Sequence, residues 1–146
     1  MTARPPSGRP LGVHGPRFAA PLAAVDRVQC SSVTADGFTL QAEKRVEASD
    51  PYLRAHFPSL PIYPGVFVLE TVLQAVALVL EESSGGVPEV VEVRSMRFLA
   101  PLLAGDTLDV EASVRRVAGG ALEVDAACHR RPDVVAARVR LRLGLL

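Results

Sequence analysis

The chain has 146 residues, of which 49% are hydrophobic and 22% charged, a balance typical of one soluble domain with a buried core. Sixteen basic and sixteen acidic side chains give a formal net charge of zero, so no overall field favours nucleic acid or an anionic membrane. Two cysteines, Cys30 and Cys128, are too few for a disulfide framework or a cysteine metal site. They are typical of buried thiols in a reducing cytoplasm.

The N-terminal segment is rich in Pro, Gly and Arg and lacks the continuous apolar run of a signal peptide. We therefore expect a flexible lead-in over residues 1–15 and one domain over residues 16–146. The sequence of residues 17–28 is typical of a short helical turn that leads into a strand. Residues 38–47 alternate apolar and polar side chains with the period of two that is typical of a half-buried strand.

Residues 66–82 break this β character. The segment is too long for a strand, and its Ala, Leu, Glu and Gln content favours a helix. Because the helix is apolar on every side, we expect other structure to wrap it. Glu70 and Gln74 interrupt the run before it reaches the roughly 18 apolar residues of a membrane span, so we expect none.

Four further strands are predicted downstream, separated by turn signals at 104–106, 119–120 and 132–133. The strands cover residues 90–103, 105–117, 121–131 and 134–146. One long helix with about six mostly consecutive strands predicts an α+β domain, in which an antiparallel sheet curls around one central helix.

The long helix carries an ionisable acid. Glu70 and Gln74 are four residues apart and share one helix face. Apolar surroundings favour the neutral form of a carboxyl group, which is the form that a general acid needs. A structural Glu paired with an Arg in the core explains the residue equally well, and Glu70 alone does not decide between the two.

A histidine, His56, lies fourteen residues before Glu70, in a segment that Pro58, Pro61 and Pro64 stiffen. This segment leads to the start of the helix, so we expect a loop in which the imidazole and the carboxyl group face each other. A neutral imidazole can accept a proton and a protonated carboxyl group can give one.

The start of the helix offers backbone N–H groups that can hold a carbonyl oxygen as it gains negative charge. They belong to Gly65, Val66 and Phe67. A base, an acid and an oxyanion site together suit removal of a proton next to a carbonyl, with loss of a β-hydroxyl group.

The same residues carry a family resemblance, because their spacing is similar to the signature of the FabZ-type 3-hydroxyacyl-(acyl carrier protein) dehydratases, which have the hot-dog fold. The matching residues are His56, Phe57, Pro58, Pro61, Pro64, Gly65, Val66, Glu70 and Gln74. Residues 25–28 and 96–108 resemble two further segments of the family.

The resemblance implies that His56 is the catalytic histidine and Glu70 the catalytic acid, with no metal or redox cofactor. A related isomerising type generally has Asp at the acid position, so Glu70 favours simple dehydration. The implied substrates are (3R)-3-hydroxyacyl thioesters of an acyl carrier protein, and the products are trans-2-enoyl thioesters. The family forms dimers or trimers of dimers, which implies that the His56 and Glu70 of one site come from different subunits.

Departures from the family pattern bear on the substrate. Ala55, Tyr63 and the pair Leu99-Ala100 replace residues that are common in the family, and the last replaces a basic pair. Four residues are candidates to line an acyl tunnel: Tyr63, Phe67, Gln74 and Phe98. Four arginines are candidates for docking the carrier protein, although simply solvated charge explains each as well: Arg94, Arg97, Arg130 and Arg131.

Three questions stay open at this level. The acyl chain could belong to fatty acid or to polyketide synthesis, with the departures slightly favouring a polyketide or polyene pathway. A hot-dog acyl thioesterase shares the fold but not the His56 to Glu70 spacing. A structural subunit of a heterodimeric dehydratase is the third alternative, although such a subunit has no reason to keep both His56 and Glu70.

Overall fold

The computed structural model describes residues 22–56, 59–83 and 85–146. The predicted lead-in over residues 1–15, its boundary at residue 16, and residues 17–21 of the segment 17–28, predicted as a turn that leads into a strand, lie outside the described residues. The same holds for Phe57 and Pro58 of the motif.

Six strands form one antiparallel sheet in the order β1-β2-β4-β5-β6-β3. Their bounds are β1 Arg27–Thr34, β2 Gly37–Arg45, β3 Pro88–Phe98, β4 Thr107–Arg116, β5 Leu122–Arg130 and β6 Val134–Leu145. The predicted strand at 38–47 and the four downstream strands are confirmed as β2 to β6. Because β3 pairs with β6 rather than with β2, the chain crosses over the sheet after its long helix.

The long helix is α2, Gly65–Glu82, one residue longer than predicted. Pro64 precedes it with φ −59° and ψ 140°, an extended conformation from which the helix can start. At the other end the Gly85 N–H donates to the Leu80 carbonyl oxygen over 2.8 Å. This bond satisfies a carbonyl at the end of the helix.

One face of α2 packs against the sheet and completes the core. Its buried residues are Val68, Thr71, Val72, Ala75, Val76, Val79 and Leu80. They meet inward-facing strand residues such as Leu40, Val110 and Leu141, each no more than 1% exposed. The α+β architecture with an antiparallel sheet curled over one central helix is therefore confirmed.

The opposite face of α2 is incompletely covered by the described residues, so within this part of the chain the expectation of a helix wrapped on every side was wrong. Val66 is 64% exposed, and Leu69 and Leu73 are only partly buried. The reason is geometric, since one curled sheet reaches only one side of a helix. Only the short segment 22–25 makes hydrogen bonds to this outward face among the described residues.

A second, short helix, α1 Pro51–His56, was not predicted; His56 is its last residue and so precedes the predicted loop instead of lying inside it. Asp50 caps it, because the Tyr52 N–H donates to Asp50 Oδ1 over 2.9 Å. The Asp50-Pro51 pair, a cap followed by proline at the first helical position, is a helix-start signal present in the sequence. The consequence is that His56 sits at the end of a helix.

None of the helices in the described part of the chain has the length and apolar character of a membrane span.

Candidate active site

A cavity of about 430 Å³ lies beside the start of α2. Its walls include His56, Tyr63, Gly65 and Phe98, together with Ala136 and Ala137 of β6. Four residues that the sequence suggested for the site thus surround one space. The contribution of β6 was not predicted, although the pairing of Phe98 with Ala137 places these small residues at the wall. This contribution of β6 depends on the order of the strands in the sheet, which the sequence patterns did not predict.

His56 is held by the chain that leads into α2. Its Nδ1 lies 2.9 Å from the carbonyl oxygen of Ile62. Ile62 is itself fixed, because it bridges to Leu103 and the next residue donates its N–H to the Leu102 carbonyl oxygen over 2.8 Å. A carbonyl oxygen can only accept, so the bond assigns the hydrogen to Nδ1. The neutral ring then carries its lone pair on Nε2, the form of a base.

The start of α2 supplies two backbone donors to the same region. Among the described residues, the N–H groups of Gly65 and Val66 have no hydrogen-bond acceptor. The predicted third donor was wrong, because the Phe67 N–H donates to the Pro64 carbonyl oxygen over 2.9 Å. Two amides at the positive end of a helix dipole can still stabilise a developing oxyanion.

Gly65 has a steric reason to be glycine. A Cβ atom at this position would lie 2.5 Å from Cζ of Phe98, whose ring covers the start of the helix. Phe98 is 54% exposed, so the ring forms part of the rim of the cavity. Phe98, a predicted tunnel residue, therefore packs closely over Gly65 at the start of the helix.

Glu70 does not line this cavity and is only partly buried, so the expectation of a deeply buried acid was wrong for the single chain. Its Oε1 accepts a hydrogen bond from Gln74 Nε2 over 3.0 Å. None of the ion pairs within the described residues involves Glu70. The alternative of a core Glu paired with an Arg has no support in these contacts.

The remaining tunnel candidates separate into two groups. Tyr63 and Phe98 line the cavity, whereas Phe67 and Gln74 do not. Tyr63 is 3% exposed, and burial raises its pKa from 10.0 to about 12, which keeps the phenol neutral. Its ring packs edge-on against Phe67 at a centroid distance of 5.5 Å. Tyr63 is therefore part of an apolar wall.

Three of the four arginines considered for carrier docking are already engaged. Arg94 contacts Glu92 and Glu123. Arg131 bonds to Asp109 and Glu43, and these hydrogen bonds raise the pKa of its guanidinium further above the usual range.

The two remaining arginines differ. Arg130 donates from Nη1 to the Pro101 carbonyl oxygen over 2.9 Å and so braces a residue of the cavity wall. Arg97, next to the rim residue Phe98, makes no ion pair within the described residues. It lies opposite Arg138 on β6, so two cations stand side by side near the rim.

Comparison with known proteins gives a family match over most of the chain. The family model described as a FabA-like domain matches residues 18–130. A relative from Nitrosomonas europaea, named 3-hydroxyacyl-[acyl-carrier-protein] dehydratase FabZ, is 35% identical over 102 residues, which are 66% of this chain and 65% of the relative. A relative of the same name from Thermotoga petrophila is 33% identical over 104 residues, 71% of this chain and 75% of the relative.

The fold also has solved counterparts. A mutant of the fluoroacetyl-CoA-specific thioesterase FlK superposes with a TM-score of 0.63 and 16% identity, over 80% of this chain and 90% of that one. At this identity the likeness concerns the fold alone. The match to the Nitrosomonas relative spans about two thirds of that protein's length.

Proposed function

The chain belongs to the family of FabA-like domains and has the hot-dog fold, and from this premise we propose that it removes water from 3-hydroxyacyl thioesters of an acyl carrier protein. The observation that carries the proposal is a cavity that brings His56 to Gly65 at the start of α2, where the Gly65 N–H and that of the next residue, Val66, which does not line the cavity, have no acceptor among the described residues. The relatives are named as dehydratases of this substrate class.

In the proposed reaction, Nε2 of His56 takes a proton from C2 of the acyl chain. The electron pair of that C–H bond moves toward the thioester carbonyl, whose oxygen gains charge and accepts hydrogen bonds from the Gly65 and Val66 amides. The C2–C3 double bond then forms as the C3–O bond breaks. Glu70 donates a proton to the departing hydroxyl, which leaves as water. His56 holds the abstracted proton, and Glu70 must regain one before the next turnover.

A complete site needs a second subunit in this proposal. Glu70 is absent from the walls of the cavity that holds His56, and it lies on the outward face of α2, which the described residues of one chain cover only in part. Docking of two outward faces would bury Leu69 and Leu73 and bring one subunit's Glu70 toward the other's His56. Dimerisation is then a condition of activity.

The edges of the sheet suggest where the second subunit pairs. β3 is an edge strand whose exposed side chains include Val91 at 59% and Val93 at 47%. The exposed side chains of the other edge strand, β1, are polar apart from Val33. Unpaired backbone beside exposed valines favours pairing with another strand, so we assign β3 to the dimer contact.

Complementation tests the shared site. His56→Ala and Glu70→Gln should each lose dehydration of a 3-hydroxyacyl carrier protein, followed by mass spectrometry as loss of water. Mixed after subunit exchange, they should recover about a quarter of wild-type activity, because half of the dimers are mixed and each of these has one intact site of two. Mixing His56→Ala with the doubly substituted chain provides the control and should restore nothing.

The same assay separates the alternatives. If exchanged mixtures stay inactive while tagged subunits demonstrably mix, the site is not shared between subunits. A dimeric wild type that dehydrates nothing would favour the structural-subunit reading. Release of a free thiol without an enoyl product would favour a thioesterase, which at present is supported by fold likeness alone. Both fatty acyl and polyketide substrates belong in the assay, since their relative rates of dehydration identify the pathway.

The localisation is part of the same proposal. The cytoplasmic location predicted from the sequence fits the proposed carrier-protein substrate and the free thiols of Cys30 and Cys128.

A further inference from the structure

Gln74 makes a set of contacts that the reaction scheme above does not use. Its Oε1 accepts from the Ala24 N–H over 3.1 Å, and its Nε2 donates to the Leu22 carbonyl oxygen over 2.9 Å. The same Nε2 donates to Glu70 Oε1 over 3.0 Å. One carboxamide thus joins the acid to a backbone segment about fifty residues earlier in the chain.

The two backbone contacts determine which way round the amide lies. A backbone N–H can only donate, so the atom that faces Ala24 must be the amide oxygen. A backbone carbonyl can only accept, so the atom that faces Leu22 must be the amide nitrogen. The orientation therefore follows from groups that do not titrate, whatever the state of Glu70.

This orientation constrains the acid. With one hydrogen of Nε2 directed to Leu22, the second points at Glu70 Oε1, which must act as an acceptor. In a protonated carboxyl group the carbonyl oxygen is the stronger acceptor, so a donor directed at Oε1 favours the state in which the hydrogen is on Oε2. We propose that Gln74 is a positioning residue that fixes the Glu70 carboxyl group and confines its transferable proton to Oε2, with segment 22–24 as the anchor.

The inference rests on the proposed role of Glu70 as general acid and adds which of its two carboxyl oxygens carries the proton. A general acid works only when the atom that bears the proton is within reach of the leaving group. The four-residue spacing places Gln74 and Glu70 one turn apart on α2, which allows the contact, but such a pair alone is a weak constraint. The bonds to Leu22 and Ala24 hold the amide so that it cannot rotate freely.

The activity test uses Gln74→Met, which keeps the length of the side chain and removes both N–H donors. We expect kcat to fall about 10- to 100-fold, since a misplaced group of roughly 1 Å can cost that much. KM should change less than about twofold because substrate binding does not involve Gln74. Leu78→Met, one turn further along α2, is the matched control and should keep wild-type kcat.

An infrared measurement tests the same geometry without turnover. In acidic buffer the protonated Glu70 carboxyl group gives a C=O band, identified by its absence in Glu70→Gln. In the wild type the carbonyl oxygen is Oε1 and accepts from Gln74, so the band should move to higher wavenumber in Gln74→Met and stay in place in Leu78→Met.

The results separate this inference from the proposed function. Wild-type kcat in Gln74→Met, or an unshifted carboxyl band, would overturn the positioning role. A fall in kcat that only tracks lost thermal stability, with the band unchanged, would assign Gln74 a structural role and also overturn the inference. Full activity in Glu70→Gln would instead refute the acid role of Glu70, and the infrared band would still report where the proton lies.

Discussion

The two faces of helix α2 differ in how completely the described residues of one chain bury them. The sheet-facing side is closed, with Val72, Val76 and Leu80 fully buried. The outward side carries Glu70 and Gln74 among apolar residues that are only partly covered, such as Leu69 and Leu73. The closed face stabilises the fold, whereas the open face holds the polar groups of the proposed chemistry and the surface for a second subunit. Stability and activity should therefore respond to different sides of one helix.

The largest effect should come from Glu70→Gln on the outward face. The amide keeps the size of the side chain but has no transferable proton, so kcat should fall by roughly 10² to 10⁴. The melting temperature should stay close to wild type, because Glu70 has no ion pair among the described residues. Steady-state kinetics and thermal unfolding measure the two quantities.

The matched control for this substitution is Glu81→Gln, an exposed acid on the same helix, which should leave both quantities unchanged. An active but clearly destabilised Glu70→Gln would show that Glu70 is structural and that the division between the faces fails.

The next effect contrasts truncations on the two faces. Leu80→Ala removes a side chain that is 0% exposed and should cost about 2 to 5 kcal/mol in the free energy of unfolding. Leu73→Ala should cost less than Leu80→Ala within a subunit but weaken the dimer, since Leu73 lies on the open face. Thermal unfolding measures the loss of stability, and sedimentation over a range of protein concentrations distinguishes the two, because a weakened dimer dissociates at a higher concentration than the wild type.

Equal losses of stability for both leucine variants, with dimer dissociation unchanged in Leu73→Ala, would contradict this contrast, since Leu73 would then behave as an ordinary core residue.

The smallest effect concerns Tyr63, whose hydroxyl lies 3.4 Å from Thr71 Oγ1 on the sheet-facing side. Tyr63→Phe removes a long hydrogen bond and should cost about 0.5 to 1.5 kcal/mol near neutral pH. The folded pKa of Tyr63 is raised from 10.0 to about 12 by burial, so the fold favours the neutral phenol. That contribution is fully present below pH 10 and is lost as the pH rises from 10 to 12.

The difference in melting temperature between wild type and Tyr63→Phe should therefore shrink over this alkaline range. A difference that stays constant from pH 9 to 12 would indicate that the phenol is not shielded from solvent in the way its burial implies.

Local sequence patterns predicted much of the fold. The period of two in β2 and the length and composition of residues 66–82 predicted elements that the structure places within one or two residues. The His56 to Glu70 spacing predicted the family, because the motif is contiguous in sequence. The same local signals included Asp50-Pro51, which marks the start of α1 and could have predicted this short helix.

The sequence by itself determined the elements, the family and the shared helix face of Glu70 and Gln74, since these depend on neighbours within a few residues. The tertiary structure decided which face of α2 the sheet covers and that β6 walls the cavity. It also decided that Arg94 and Arg131 are engaged and that residues 22–24 hold Gln74. These outcomes depend on strand order and on contacts between residues some 20 to 90 positions apart, which no local periodicity encodes.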